Sequence, residues 1–168
     1  MTTQPMIRVL QRSSLHSLLL LTSKMLSRSG FGEVQILDRR ETRQRSRFGG
    51  HELLCESSLG SLPVRVVVKV INDSVRLRML DELAGVVLRT KADLGIIVSP
   101  HHLTASATRY QGSYKSARIS VIDGVALADH LQRLGIGVRK SGEIDHQFFV
   151  GLDLVGRRVS EFMRREAA

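Results

Sequence analysis

Apolar residues recur at helical spacing near the start of the chain. Leu15, Leu18, Leu19, Met25 and Leu26 predict an amphipathic helix over 6–29, closed at Ser29-Gly30. Residues 33–37 (EVQIL) alternate and predict a strand. An Arg-rich polar connection from Arg39 to Phe48 (RRETRQRSRF) follows, punctuated by Gly49-Gly50. A second strand opens over 52–55 and turns around Ser57-Ser58-Leu59-Gly60. Its partner is the β-branched run 64–71 (VRVVVKVI), the pattern of a central strand buried on both faces. Leu77, Leu80, Leu83, Val87 and Leu88 stripe a helix over 75–91. Strand 94–98 (LGIIV), a short helix over 104–110 and strand 118–122 (RISVI) come next. Asp123-Gly124 then turns into a helix over 125–134, and the remainder carries a helix over 152–165.

The predicted order is therefore α-β-β-β-α-β-α-β-α plus a tail. A helix, a three-strand meander and βαβ units make an α/β three-layer sandwich around a central mixed β-sheet. Residues 1–138 are expected to form this domain, and 139–168 a C-terminal tail.

Composition narrows the partners. The 168 residues carry 25 Lys+Arg against 16 Asp+Glu, a formal net charge of +9. Such a balance points to a polyanion, nucleic acid or an acidic membrane surface. The single cysteine, Cys55, excludes an internal disulfide framework and a cysteine-based zinc site, and a reducing cytoplasm is the expected location. Seven aromatics and no Trp argue against a stacking platform for single strands. No stretch approaches the roughly 20 apolar residues of a membrane span. The first 32 residues contain no acid, as transit peptides do. Their apolar period runs straight into the first strand, so they are read as part of the fold.

Alternation sorts the candidate chemistry. Along 64–71, Arg65, Val67, Lys69 and Ile71 share one face, and Val64, Val66, Val68 and Val70 the other. A lysine in such a strand is costly to bury without a partner. Glu52, Leu54 and Glu56 share a face of the neighbouring strand, and a hairpin would set Glu52 beside Lys69. A carboxylate can hold a hard cation, and a lysine beside it can offset charge on a phosphodiester or orient water. Adjacent His101 and His102 point to opposite sides and do not suit a shared metal. His51 should face away from Glu52, and Cys55 reads as a small buried hydrophobe.

Six segments, in order, resemble the Mrr-type restriction endonuclease family, a branch of the PD-(D/E)xK nucleases. They are SGFGEVQIL (29–37), GGHELL (49–54), VVVKV (66–70), GIIVSPHHLTASATRY (95–110), ISVIDGVALADHLQRLGIGV (119–138) and DHQFF (145–149). The resemblance covers about residues 5–150. It implies a restriction-endonuclease-like fold, double-stranded DNA as substrate, and Mg2+ (or Mn2+) as cofactor. By position, the family's metal-binding aspartate falls on Glu52, its catalytic lysine on Lys69, and its metal-binding glutamine or glutamate on Val67.

Two departures follow from that alignment. Glu52 is one methylene longer than aspartate, and Val67 supplies no oxygen. Glu56, on the face of Glu52, is the candidate second carboxylate for the metal. Arg39, Arg40, Arg43, Arg45 and Arg47 are the candidate DNA-backbone contacts, since clustered arginines neutralise phosphates. The rival expectation is a catalytically inactive nuclease fold that binds DNA or a partner protein. Val150, Leu154 and Phe162 of the C-terminal helix, whose polar side carries Arg157, Arg158, Arg164 and Arg165, are expected to dock on the core or on a second copy of the chain, and a further rival is a protein-interaction subunit working through that helix.

Overall fold

The computed structural model of the protein describes residues 3–32, 34–37, 50–59, 61–110, 113 and 118–166. Two helices open the chain, α1 (Thr3–Arg12) and α2 (Leu15–Arg28). The single helix expected over 6–29 is thus broken at Ser13-Ser14. Ser14 takes an extended backbone conformation, and its hydroxyl accepts the Ser17 N–H at 3.1 Å as the N-cap of α2. Ser13 donates to the Val9 carbonyl at 3.1 Å. Paired serines here satisfy backbone groups locally, which competes with a continuous helix.

Strands β1 (Val34–Ile36), β2 (His51–Leu59) and β3 (Leu62–Val70) form an antiparallel meander. β2 runs longer than expected: Ser57 and Ser58 pair with Val64 and Pro63, and Leu59 with Leu62, so the reversal falls beyond Leu59. Helix α3 (Leu77–Thr90) crosses to β4 (Leu94–Val98), parallel to β3. A short α4 (Ala105–Tyr110) precedes β5 (Ile119–Ile122), parallel to β4. α5 (Gly124–Arg133) and α6 (His146–Glu166) complete the described chain. The sheet order is β1-β2-β3-β4-β5, antiparallel then parallel, with β3 at the junction.

Helices cover both faces. Val66, Val68 and Val70 of β3 pack with Met6, Leu10, Leu18 and Leu127 from α1, α2 and α5. Val67 and Ile71 pack on the opposite face with Met79, Leu80 and Leu83 of α3. The five residues from Val66 to Val70 are each at most 1% exposed, as the β-branched run predicts. This is an α/β three-layer sandwich with a mixed five-stranded sheet.

Two expected helix faces shift. Leu88, placed on the buried stripe by its spacing, is exposed, while Met79 and Val86 are buried. Near the C-terminus the helix begins six residues earlier than expected, because Asp145 accepts the Phe148 N–H at 3.2 Å and starts it. α6 packs on α2, where Lys24 Nζ sits 5.2 Å from the centroid of the Phe148 ring and the small Gly156 lies against Ser17. Val150, Leu154 and Phe162 do not dock on the core of this chain; all three are exposed.

Candidate active site

The register of the β2–β3 hairpin sets Glu52 directly across from Lys69. Gly50 governs how β2 begins. Its φ is +98°, and a Cβ there would stand 2.7 Å from the Val70 carbonyl oxygen and 2.9 Å from Ile71 Cγ2. Only glycine accepts both the left-handed backbone and the close approach. The chain is thereby pinned against the end of β3 two residues before Glu52.

Lys69 is 1% exposed, among the largest fully buried side chains of the described residues. Its ammonium lies 2.9 Å from Glu82 Oε2 and 3.7 Å from Glu52 Oε1. Helix α3, which covers this face of β3, delivers Glu82. The two carboxylates keep 16% and 17% side-chain exposure. The cluster therefore has a buried cation with two partly open acids over it. Burying an ammonium is tolerable only with such partners.

Val67 points to the same side of β3 as Lys69 but is 0% exposed, packed in the apolar cluster with Leu80 and Leu83. Glu56 does not join Glu52. It pairs with Arg65 across the hairpin at 3.0 Å, both side chains about half exposed. It lies four residue steps along the strand from Glu52, roughly 13 Å. A cleft of about 410 Å³ lies beside Glu56, lined by Gly30 and Gly32 of the segment after α2, Gln35 of β1, and Leu54, Glu56 and Ser57 of β2. Arg39, Arg40, Arg43, Arg45 and Arg47 lie outside the described residues.

The histidines serve other ends. His51 turns away from Glu52 toward α2, its ring centroid 4.9 Å from that of His16. His101 bonds Asn72 Oδ1 at 3.0 Å, and its backbone N–H donates to Ser99 Oγ, so it organises the turn after β4. Cys55 is fully buried, and burial pushes its thiol up to about 11. Among the described residues no group of three or more His, Cys, Asp or Glu side chains converges. No helix among them is long and apolar enough to cross a membrane.

Glu82 is the site residue that sequence patterning passes over. A signal was present: Asp81 and Glu82 are the only acids of α3, set between Leu80 and Leu83 on the helix that follows the lysine strand. A buried lysine requires acids from whatever covers it.

A mixed sheet of this order, flanked by helices and bearing an acid–lysine pair where its antiparallel and parallel halves meet, defines a restriction-endonuclease-type domain. Residues 10–131 match the Mrr catalytic-domain family, described as Restriction endonuclease, and the chain belongs to that family. No curated protein matches the sequence. Among solved structures, the chain is similar to the MspJI restriction endonuclease in complex with a 27-mer oligonucleotide, at 20% identity and a TM-score of 0.53. That similarity covers 90% of this chain and 34% of the other. It is also similar to the DNA modification-dependent restriction endonuclease AspBHI, at 10% identity and a TM-score of 0.53, over 95% of this chain and 40% of that one. The chain thus spans about a third to two-fifths of the length of these enzymes. At such identities the likeness is one of fold.

Proposed function

We propose that the protein is a metal-dependent endonuclease domain that hydrolyses phosphodiester bonds of double-stranded DNA. The observation that carries this reading is the pairing of Glu52 with a fully buried Lys69 at the junction of the sheet. The donor chemistry fits Mg2+ or Mn2+. These ions take oxygen ligands, keep several waters, and need only one or two carboxylates beside a phosphate. Glu52 is a partly open carboxylate of that kind. When bound, the ion supplies Lewis acidity and a polarised water.

The chain's own groups do the rest. Glu52 would hold the ion. Lys69, buried beside Glu52, supplies one positive charge that offsets the negative charge building on the phosphoryl oxygens. The arginines at 39, 40, 43, 45 and 47 hold the DNA backbone by phosphate neutralisation. The lone, buried Cys55 suits work in a reducing cytoplasm.

Supercoiled plasmid with Mg2+ or Mn2+ tests the reading. Wild type should nick or linearise it, and chelation should stop the reaction. Lys69→Met should lower the rate at least about 100-fold, the scale at which removal of one charge-stabilising donor acts. Equal cleavage by wild type and Lys69→Met would refute it.

One observation favours a second reading. Buried Val67 stands where the family resemblance implies an oxygen ligand. A catalytically inactive nuclease fold that binds DNA or a partner protein would tolerate that valine. It predicts salt-sensitive DNA binding with no cleavage in either metal. The exposed Val150, Leu154 and Phe162 of α6 would then be the surface for a second copy or a partner.

A further inference from the structure

Glu82 approaches Lys69 more closely than Glu52 does, yet it comes from a different layer of the sandwich. We propose that Glu82 is the second carboxylate ligand of the metal centre, contributed by helix α3 in place of the oxygen that Val67 cannot supply. This rests on the endonuclease reading above.

Three observations support it. First, both acids meet the same atom: Lys69 Nζ is 2.9 Å from Glu82 Oε2 and 3.7 Å from Glu52 Oε1. Their oxygens are therefore within about 7 Å of each other, a gap that rotamer changes in two flexible arms can close to the roughly 3 Å of octahedral ligation. Second, the exposures are layered. Lys69 is sealed at 1%, while the carboxylates retain 16% and 17% and form the rim that an ion from solvent would meet first. Third, Val67 shares a buried cluster with Leu80 and Leu83, which lie two positions before and one after Glu82 on α3. The helix that makes position 67 apolar is the one that brings an acid over the same face.

A structural clamp on the lysine is the competing account, and the two differ in their response to metal. In the resting site the ammonium occupies the carboxylates. A divalent ion would take those oxygens on their open side and shift Lys69 toward the substrate phosphate. Lysine and metal thus compete electrostatically for the same acids.

Binding of Mn2+ alone to the intact chain, followed by electron paramagnetic resonance and by thermal melting, separates the accounts. Glu52→Gln and Glu82→Gln should each weaken Mn2+ binding at least about tenfold, and Glu82→Asp should retain most of it. Lys69→Met should bind Mn2+ more tightly than wild type and gain a larger rise in Tm on adding it. That variant keeps the proposal testable even if Glu82→Gln folds poorly. Unchanged Mn2+ binding in Glu82→Gln, with loss in Glu52→Gln, would overturn the role of Glu82 and leave the endonuclease reading standing. Binding indifferent to both substitutions, or absent in wild type, would overturn the two together.

Discussion

Ser17 on α2 donates a 2.5 Å hydrogen bond to Asp153 Oδ1 on α6, across 136 residues of sequence. Ser17 is completely buried, and the same hydroxyl lies 2.7 Å from that of Ser14, the cap of α2. One contact therefore ties the start of the second helix to the middle of the last. Ser17→Ala should destabilise the protein by about 1–3 kcal/mol, the cost of leaving a charged acceptor without its donor. Urea denaturation would measure it, and an unchanged midpoint would argue that the other contacts between α2 and α6, such as Lys24 over Phe148, hold the helix without this bond.

Gly50 carries a sharper demand. Gly50→Ala combines a φ of +98° with a Cβ placed against the Val70 carbonyl. The expected loss is roughly 1–3 kcal/mol from the backbone conformation alone. Because Gly50 sets the start of β2, the proposed endonuclease function requires the plasmid-cleavage rate to fall along with the melting temperature. A variant with wild-type stability would mean that β2 can begin elsewhere.

Cys55 provides a test of burial by pH. Desolvation raises its thiol from 9.0 to about 11. Folding thus favours the neutral thiol. The associated stability is fully present below pH 9 and is lost as pH rises from there through about 11. A thiol-reactive dye at pH 8 should label the native protein far more slowly than the urea-unfolded chain. Comparable rates would show that the β2–β3 hairpin opens freely.

The arginine run predicts a salt dependence. Each phosphate neutralised contributes about 0.9 to the slope of log K against log salt on duplex DNA. Replacing Arg39, Arg40, Arg43, Arg45 and Arg47 together by alanine should flatten that slope and weaken binding in a sequence-independent way. Fluorescence anisotropy at several salt concentrations reads both. A slope that does not change would remove these arginines from the proposed DNA contact.

The two faces of β3 were legible from residues 64–71, since side chains alternate in any strand whatever surrounds it. The same holds for β4, whose limits at Leu94 and Val98 match its apolar run, and for the pairing of Glu52 with Lys69 once a hairpin is assumed. Local periodicity and turn residues carry that information. The break at Ser13-Ser14, the continuation of β2 to Leu59 and the early start of α6 were not legible in the same way. Each depends on capping, pairing or docking that competes with intrinsic pattern.

The sequence by itself determined the layers, the central strand and the lysine within it, because hydrophobic period and β-branching are properties of short windows. Only the tertiary structure decided which acids that lysine meets. Glu56 shares a strand face with Glu52 yet is held by Arg65 at 3.0 Å, while Glu82 crosses from the covering helix to Lys69 at 2.9 Å. Contacts between layers follow from how a helix seats on a sheet, and no window of sequence contains both sides of that contact.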